Sequence, residues 1–353
     1  MATHAEYGAS TTATEVAAAF ADQIKGKNVV VTGISPASIG YTTVLAIASQ
    51  APAHLVLASR TQAKLDAVVK DVRAVHPSVP LHTVLLDLAS VESVRAAAQA
   101  VASLVDHVDV LINNAGISTP ERLASTAPDG TPVDGQFLTN HLGVFLWTSL
   151  LLPSLRAAPS SATSPARIIN LTSQGHHLSP VRFSDYAFTA GTYNVPADEK
   201  PRDGLPPFFL REIDGYPGFL GYGQSKTANI LHATELARRC RRRGDAVTAL
   251  SVHPGTIETE LSRSLDPEGQ ATIAKTAPAG LWKTQDQGAA TTLVAAFDPA
   301  LARVAVGDAG QPIGYLSDCQ LRDDMVAAHA KGAETATRLW TATEAMLQHT
   351  VDL

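Results

Sequence analysis

The stretch VVVTGISPASIG, from Val29 to Gly40, decides the fold. Three consecutive β-branched residues read as a strand buried on both faces, Thr32-Gly33 ends it, and a turn of small residues leads into a helix-period run. A helix N-terminus that directly follows a buried strand presents unpaired backbone N–H groups and the positive end of the helix dipole. That is the local arrangement that receives a dinucleotide pyrophosphate. A strand followed by a small-residue turn is also common in chains that bind no nucleotide, so the reading depends on what surrounds it.

Outward from this turn, short β-branched runs alternate with longer helix-period stretches. Residues 28–31, 54–59, 81–87, 108–112, 167–171 and 246–252 read as six strands, and Gln311 to Leu316 as a seventh whose proline suits a sheet edge. Between strands two and three, Leu65, Val68, Val69 and Val72 recur at helical spacing, and the helix stops before Pro77. The pattern predicts an α/β chain: a Rossmann-type, doubly wound parallel sheet of about seven strands in three α/β/α layers. No Gly/Ser or Pro-rich linker divides the 353 residues, so one domain is expected over 1–353. Three elaborations accompany it. Residues 1–26 form a helical arm opened by a Thr12-x-x-Glu15 capping box, and residues 320–353 a helical extension that closes over the sheet edge or meets a second subunit. Residues 178–219 form an irregular excursion holding six prolines and eight of the 19 aromatic residues, which a disordered linker would lack.

Composition narrows the function. With 45% hydrophobic residues the chain can bury a sizeable core, and a net charge of −6 gives no general attraction to nucleic acid or an anionic membrane. Cys240 and Cys319 form no metal-ligand or redox pattern, so no metal site is expected and a reducing compartment is. No membrane-spanning run or secretion signal is present, which predicts a soluble cytoplasmic protein.

Two further signals carry chemistry. At the end of strand two, 19 residues after Gly40, an NAD site would place a carboxylate for the ribose hydroxyl; this chain has Ser59-Arg60. A guanidinium there suits a 2′-phosphate, so the expected cofactor is NADP(H), against the alternative of a solvated arginine at a helix start. Tyr222 and Lys226 stand four apart in a helix-period stretch, on one helical face, where an ammonium favours the phenolate of its neighbour. The same spacing also arises as an interfacial tyrosine beside a solvated lysine.

Taken together and in order, the motifs resemble the short-chain dehydrogenase/reductase family. The likeness covers roughly residues 27 to 260: the turn from Thr32 to Gly40, Asp87-Leu88, Asn113-Asn114-Ala115-Gly116, Asn140 in Asn-His-Leu-Gly, Ser173 in Asn-Leu-Thr-Ser, Tyr222 with Lys226, and Pro254-Gly255. The segments around Asn140 and Ser173 are most similar to the retinol-dehydrogenase-like branch and its fungal relatives, which act on diverse alcohols, aldehydes and ketones. The resemblance implies that Tyr222 is the general acid/base, with Lys226 lowering its pKa and binding the nicotinamide ribose. It implies that Ser173 binds the reacting oxygen and that Asn140 holds a water relaying protons from Lys226. For the cofactor it implies contacts from Gly33, Ser35, Ser38, Ile39 and Gly40 at the turn, and from Ser59 and Arg60. Asp87 and Leu88 would meet the adenine, Asn114, Ala115 and Gly116 the adenosine ribose side, and Pro254, Gly255, Ile257 and Thr259 the nicotinamide, beside Tyr222 and Lys226.

The chain departs from the family twice. Six residues separate Gly33 from Gly40, one more than in T-G-x-x-x-G-x-G, with Ser38 where a glycine would ease phosphate approach; the Ser35 and Ser38 hydroxyls are expected to donate there instead. From Ser173 to Tyr222 the count is 49 residues, longer than usual. The added length is the aromatic excursion, either a lid or pocket for a bulky apolar substrate or a structural flap or subunit contact. His176 and His177 are expected to point to opposite faces of a strand in surface or supporting roles, the Arg238–Arg243 cluster to mark a helix end, and Trp147 to be core or dimer surface. The expected function is an NADP(H)-dependent oxidoreductase interconverting a carbonyl and an alcohol on a hydrophobic small molecule, working as a ketone or aldehyde reductase. A non-catalytic NADP-binding regulator or scaffold, and a non-redox isomerase or cyclase, are the alternatives; a homo-oligomer stays open.

Overall fold

The computed structural model describes residues 2–159, 161, 164–257, 271–272, 275, 282–304, 306 and 313–353. Five runs of β-branched and apolar residues form the strands β1 (Asn28–Thr32), β2 (His54–Ser59), β3 (Leu81–Leu85), β4 (Val110–Asn113) and β7 (Ala166–Leu171). With β8 (Val247–His253), β9 (Tyr315–Ser317) and β10 (Gln320–Leu321) they make an eight-stranded sheet in the order β10-β9-β8-β7-β4-β1-β2-β3. All pairs are parallel except β9–β10. The order reverses between β1 and β4, which places the crevice at the C-terminal ends of those two strands.

The doubly wound Rossmann-type class follows as expected, with eight strands in place of about seven. β9 begins at Tyr315, and the expected seventh-strand residues Gln311 and Pro312 lie outside the described residues. β10 is two residues long, too short to carry an alternating signal, and a small hairpin of β5 (Ala124–Thr126) and β6 (Pro132–Asp134) is equally silent in the sequence.

Helices cover both faces. On one, α3 (Ile39–Ala48) and α9 (Gln285–Phe297) pack together, and the N-terminal arm lies against α9. That arm is α1 (Ala13–Ala19), with both hydrogen bonds of the Thr12/Glu15 capping box formed, followed by α2 (Ala21–Ile24). α4 (Gln62–Val75) buries Leu65, Val68 and Val72 and ends at His76 before the proline. After a single turn, α6 (Gly135–Phe137), the chain continues on the other face, where α5 (Val91–Leu104), α7 (Gly143–Arg156) and α8 (Gly218–Arg243) lie, the last closed by Gly244 in the left-handed region after its run of arginines. The C-terminal helix α10 (Ala333–Leu347) packs on α7 and α8 of its own chain: Trp340 stacks edge-on to Phe145, and His141 Nε2 bonds Thr343 Oγ1 at 2.8 Å. One apolar core runs from Ala2 to Val351, with Trp147 fully buried in it. None of the described helices is long and apolar enough to cross a membrane.

The excursion carries a core of its own, in which Phe188, Phe208, Phe209 and Tyr216 pack with Leu178, Leu205 and Leu220. It is tied down by polar contacts. Arg122 donates to the carbonyls of Ala187, Phe188 and Gly215, and the Tyr216 hydroxyl donates to Asp134 Oδ1 at 2.7 Å. Tyr193 alone of its eight aromatics is largely exposed.

Gly143 shows how closely these layers fit. A Cβ at this position would stand 2.0 Å from the carbonyl oxygen of Leu88. Gly143→Ala is therefore expected to destabilise the fold by about 1–3 kcal/mol, read as a lowered unfolding midpoint. A midpoint equal to the parent's would show that α7 shifts aside without loss.

Candidate active site

Loops at the C-terminal ends of β1, β2, β3, β4, β7 and β8 build the site. The turn after β1 begins at Gly33, whose φ of +76° places it in the left-handed region. A Cβ there would lie 2.6 Å from Ala115 Cα and 2.9 Å from Asn114 Nδ2, so only glycine lets this turn approach the loop after β4. Asn114 holds the approach by donating from Nδ2 to the carbonyls of Thr32, at 2.9 Å, and Gly33, at 3.1 Å. The extra residue of the turn is absorbed at Ala37, which adopts φ +55° immediately before the N-cap of α3. Ser38 is that cap: its Oγ accepts from the Tyr41 amide and donates to the Ser35 carbonyl at 2.7 Å. The Ser38 hydroxyl proton is thus engaged inside the turn, contrary to the expectation that it is offered to a ligand.

In front of this turn opens a cleft of about 260 Å³. Gly33, Ser35, Ser38, Ile39, Ser59, Arg60, Leu88, Asn114, Ala115, Gly116, Tyr222, Lys226 and Pro254 line it. Gly40 is buried behind the turn, where a Cβ would meet Asn114 Nδ2. Asp87 is not among the lining residues; its Oδ1 accepts from the Ala89 amide. Gly255 and Ile257 line a second cavity described below, and Thr259 lies outside the described residues. Sequence reasoning missed Lys64 and Thr172, both in the cleft wall. Lys64 stands four residues after Arg60 in the first turn of α4, a spacing that was there to be read.

Tyr222 and Lys226 lie in α8 and line the cleft, Lys226 buried and Tyr222 half-buried. Lys226 Nζ donates to the Leu171 carbonyl at 3.2 Å and stands 5.5 Å from the centre of the Tyr222 ring. Ser173, just past the end of β7, stands close enough to the Tyr222 hydroxyl for its side chain to ease deprotonation of the phenol. Desolvation dominates both titrations. It pushes the phenol up to about 12, against a lowering by Ser173, and the ammonium down to about 8. The expected lowering by Lys226 does not contribute: burial raises the phenol, and the opposing influence comes from Ser173.

Asn140 sits in a π-helical turn (Leu138–Leu142) leading into α7. Its amide is clamped by the Ile117 backbone, accepting from N–H and donating to C=O at 2.8 Å each, and it also donates to Ser225 Oγ at 3.0 Å. Gly116 faces Lys226 Nζ and Asn140 Oδ1, at 3.2 and 3.5 Å from the position a Cβ would take. A side chain at 116 would crowd the amine.

His176 and His177 correct the expectation of a strand with opposed side chains. They lie in a 3-10 turn (Gln174–His177) with ring centres 4.1 Å apart. His176 is fully buried, with Nδ1 2.7 Å from the Ser173 carbonyl and Nε2 accepting from the Ala327 amide at 3.2 Å. This pair of contacts requires a neutral ring with its proton on Nδ1, and burial holds its pKa at about 3. The C-terminal segment thereby grips the turn that carries Ser173.

The second cavity, about 450 Å³, adjoins the first. Ile39, Thr172, Tyr222 and Pro254 line both. Ser173 is in its wall, and the excursion contributes Leu178, Leu205, Pro206, Phe209 and Phe219, opposite Trp282 and Ile257.

A family model described as short chain dehydrogenase matches residues 27–190. The chain is 34% identical to oxidoreductase fscI of Fusarium equiseti over 250 residues, 70% of this chain and 94% of that protein. It is 33% identical to human retinol dehydrogenase 13 over 323 residues, 90% of this chain and 83% of that one. Among solved structures, an uncharacterised protein from Mycobacterium paratuberculosis superposes with a TM-score of 0.61 at 27% identity, covering 94% of this chain and 96% of the other. The RhlG/NADP complex of Pseudomonas aeruginosa shares the fold at 22% identity and a TM-score of 0.54, over 79% and 91%.

Burial of Lys226 has a measurable consequence. Below about pH 8 the amine is charged in both folded and unfolded chains, and the fold bears the full desolvation penalty. Between about 8 and its ordinary 10.5 the unfolded chain holds the proton that the folded one has lost, so stability rises with pH. Lys226→Met is expected to be more stable than the parent at pH 7 by on the order of 2 kcal/mol, after the lost bond to Leu171 is allowed for, with the gain fading between pH 8 and 10.5. Thermal unfolding across that range checks it; a gain independent of pH would contradict the assignment.

Proposed function

The chain belongs to the short-chain dehydrogenase family of oxidoreductases, and on that premise we propose that it is an NADP(H)-dependent enzyme interconverting a carbonyl and an alcohol on a hydrophobic small molecule, working as a ketone or aldehyde reductase. The observation that carries this reading is the position of Tyr222. It lies on the seam between the two cavities, within hydrogen-bonding reach of Ser173 and on the same helical face as Lys226. A group that moves a proton to a carbonyl while a hydride arrives from a cofactor must reach both ligands, and a seam residue does.

The fit to a dinucleotide rests on the cleft itself. The glycine turn leaves room that a Cβ at Gly33 would fill, and the first turn of α3 opens beside it with its backbone donors. Gly33, Ser35 and Ile39 would meet the pyrophosphate, Ala115 and Gly116 the ribose side, and Leu88 the adenine. Preference for NADP(H) over NAD(H) is supported by Arg60 and Lys64, two cations at the end of the cleft where a 2′-phosphate would lie. When bound, NADP(H) supplies or accepts the hydride.

The protein's own part is proton management and alignment. In reduction the Tyr222 phenol, protonated at neutral pH, gives its proton to the carbonyl oxygen while the Ser173 hydroxyl donates a hydrogen bond to that oxygen and stabilises its developing charge. Lys226 restores the proton, and the gap between Lys226 Nζ and Asn140 Oδ1 in front of Gly116 is the route by which a water reaches it. In oxidation the same groups run in reverse. The apolar walls of the second cavity, five of them from the excursion, support a largely hydrophobic substrate and favour the pocket reading over the flap. Relatives named retinol dehydrogenase support alcohol and aldehyde chemistry.

Two substitutions test this. Tyr222→Phe is expected to retain NADPH binding, followed by nicotinamide fluorescence, while losing at least about 100-fold in turnover of bulky apolar ketones and aldehydes. Unchanged turnover would remove the mechanism. Arg60→Ala is expected to weaken NADPH by about tenfold with little effect on NADH; equal affinity of the parent protein for the two cofactors would remove the NADP assignment.

A further inference from the structure

The larger cavity is not uniformly apolar. Arg202, from the excursion, is in its wall, and His177 lies there with it. Among the described lining residues there is no Asp or Glu, although acids outnumber bases in the chain by 33 to 27. Arg202 is exposed and makes no ion pair or hydrogen bond with any described residue. Most of the chain's other described arginines are engaged: Arg122 holds the excursion, Arg156 and Arg243 bind Asp245 and Asp352, Arg182 binds Asp185, and Arg239 binds Glu235.

The charge of Arg202 is felt inside the site. Burial is the main cause of lowered proton affinity at His177 and at His329, which bonds the His176 carbonyl at 2.8 Å, and the charge of Arg202 adds to it at both. All three histidines belong to, or grip, the turn between Ser173 and Leu178. The positive end of the cavity is therefore on the side of this turn and the excursion, whereas Tyr222 is at the seam with the cofactor cleft. Leu178, Leu205, Pro206, Phe209 and Phe219 form the apolar wall of the same cavity.

A guanidinium that makes no ion pair or hydrogen bond with a described residue, at the edge of an apolar cavity whose described lining residues include no acid, matches an anion delivered by the ligand. We propose that Arg202 forms a subsite for an anionic group, so that the substrates of this site are amphipathic carbonyl compounds: an apolar body with the reacting carbonyl at Tyr222 and a carboxylate or similar compact anion at its other end. This deepens the proposed function and rests on it for the reacting carbonyl, while the subsite itself is a matter of binding. A neutral apolar substrate would leave Arg202 to solvent and give it no part in selection.

The test uses the full-length protein with three benzoylalkanoates of increasing reach, 3-benzoylpropanoate, 4-benzoylbutanoate and 5-benzoylpentanoate, each beside its primary amide, which keeps shape and removes charge. Binding is measured by calorimetry in the presence of NADP(H), and kcat/KM by NADPH consumption. In the parent protein at least one acid is expected to exceed its amide by three- to tenfold in both affinity and kcat/KM, with the ratio falling as salt is raised, because the guanidinium is exposed. Arg202→Gln is expected to bring that ratio to about one, through a greater loss of affinity and kcat/KM for the acid than for its amide, and Arg202→Lys to keep part of it. Acid and amide binding alike at all three lengths would overturn the subsite even if every compound were reduced. A preference that survives in Arg202→Gln would overturn it as well. Selective binding of an acid that is lost in Arg202→Gln, without NADPH consumption by any compound, would uphold the subsite and count against the reductase reading.

Discussion

The contact on which the molecule turns is the clasp between the loops after β1 and β4. Parallel strands that neighbour each other at a topological switch point send their following chains to opposite faces of the sheet, which opens a crevice between them. Here the crevice is held at a fixed width by one side chain. Asn114 bonds two successive carbonyls of the β1 end, and Thr32 returns the tie by accepting from the Ala115 amide at 3.1 Å. The clasp demands glycine at 33, and it brings residues 115 and 116 to the floor of the cleft, where the missing side chain of Gly116 leaves the approach to Lys226 open. Fold and site are therefore set by the same few atoms.

The opposite wall is built differently. α8 is a long, buried helix whose first turns carry Tyr222 and Lys226, and its position is fixed by hydrogen bonds that run outward into less regular structure. Thr172 Oγ1 donates to the Lys226 carbonyl, and Gln136 reaches the Gly218 carbonyl and the Tyr216 hydroxyl together. Gly221 lies so close to that hydroxyl that a Cβ would come within 2.3 Å of it. The excursion is thus fastened at the base of the helix that bears Tyr222, and its aromatic residues form a wall of the larger cavity without being independently mobile appendages.

What could be read from the chain followed from local rules. The β-branched run before Gly33, the Thr12 capping box, the helix stopping before Pro77 and the helical spacing of Tyr222 and Lys226 are each written within a few residues, and each has its counterpart in the structure. The features that escaped depend on distant partners. β10 exists because β9 is there to pair with it, and the π-turn at Asn140 is stabilised by Ile117, 23 residues away. His176 takes its tautomer from Ala327, 151 residues away, and no pattern around Ser173 announces that bond. The extra residue in the first turn belongs to the same class. Its presence was countable, but its placement at a left-handed Ala37, and the capture of the Ser38 hydroxyl by Ser35, follow from how α3 must start.

Burial sets the chemical bias of the proposed centre. A phenol held at about 12 and an amine held at about 8 are, at neutral pH, a protonated tyrosine beside a largely protonated lysine. That state is ready to give a proton to a carbonyl oxygen and to have it replaced, which is what reduction asks of it. Oxidation begins from the phenolate, and this needs a compensating positive charge at close range before the proton can leave. Lys226 is 5.5 Å from the ring centre and burial discourages it from carrying charge, so in the ligand-free protein desolvation favours the protonated phenol over the phenolate.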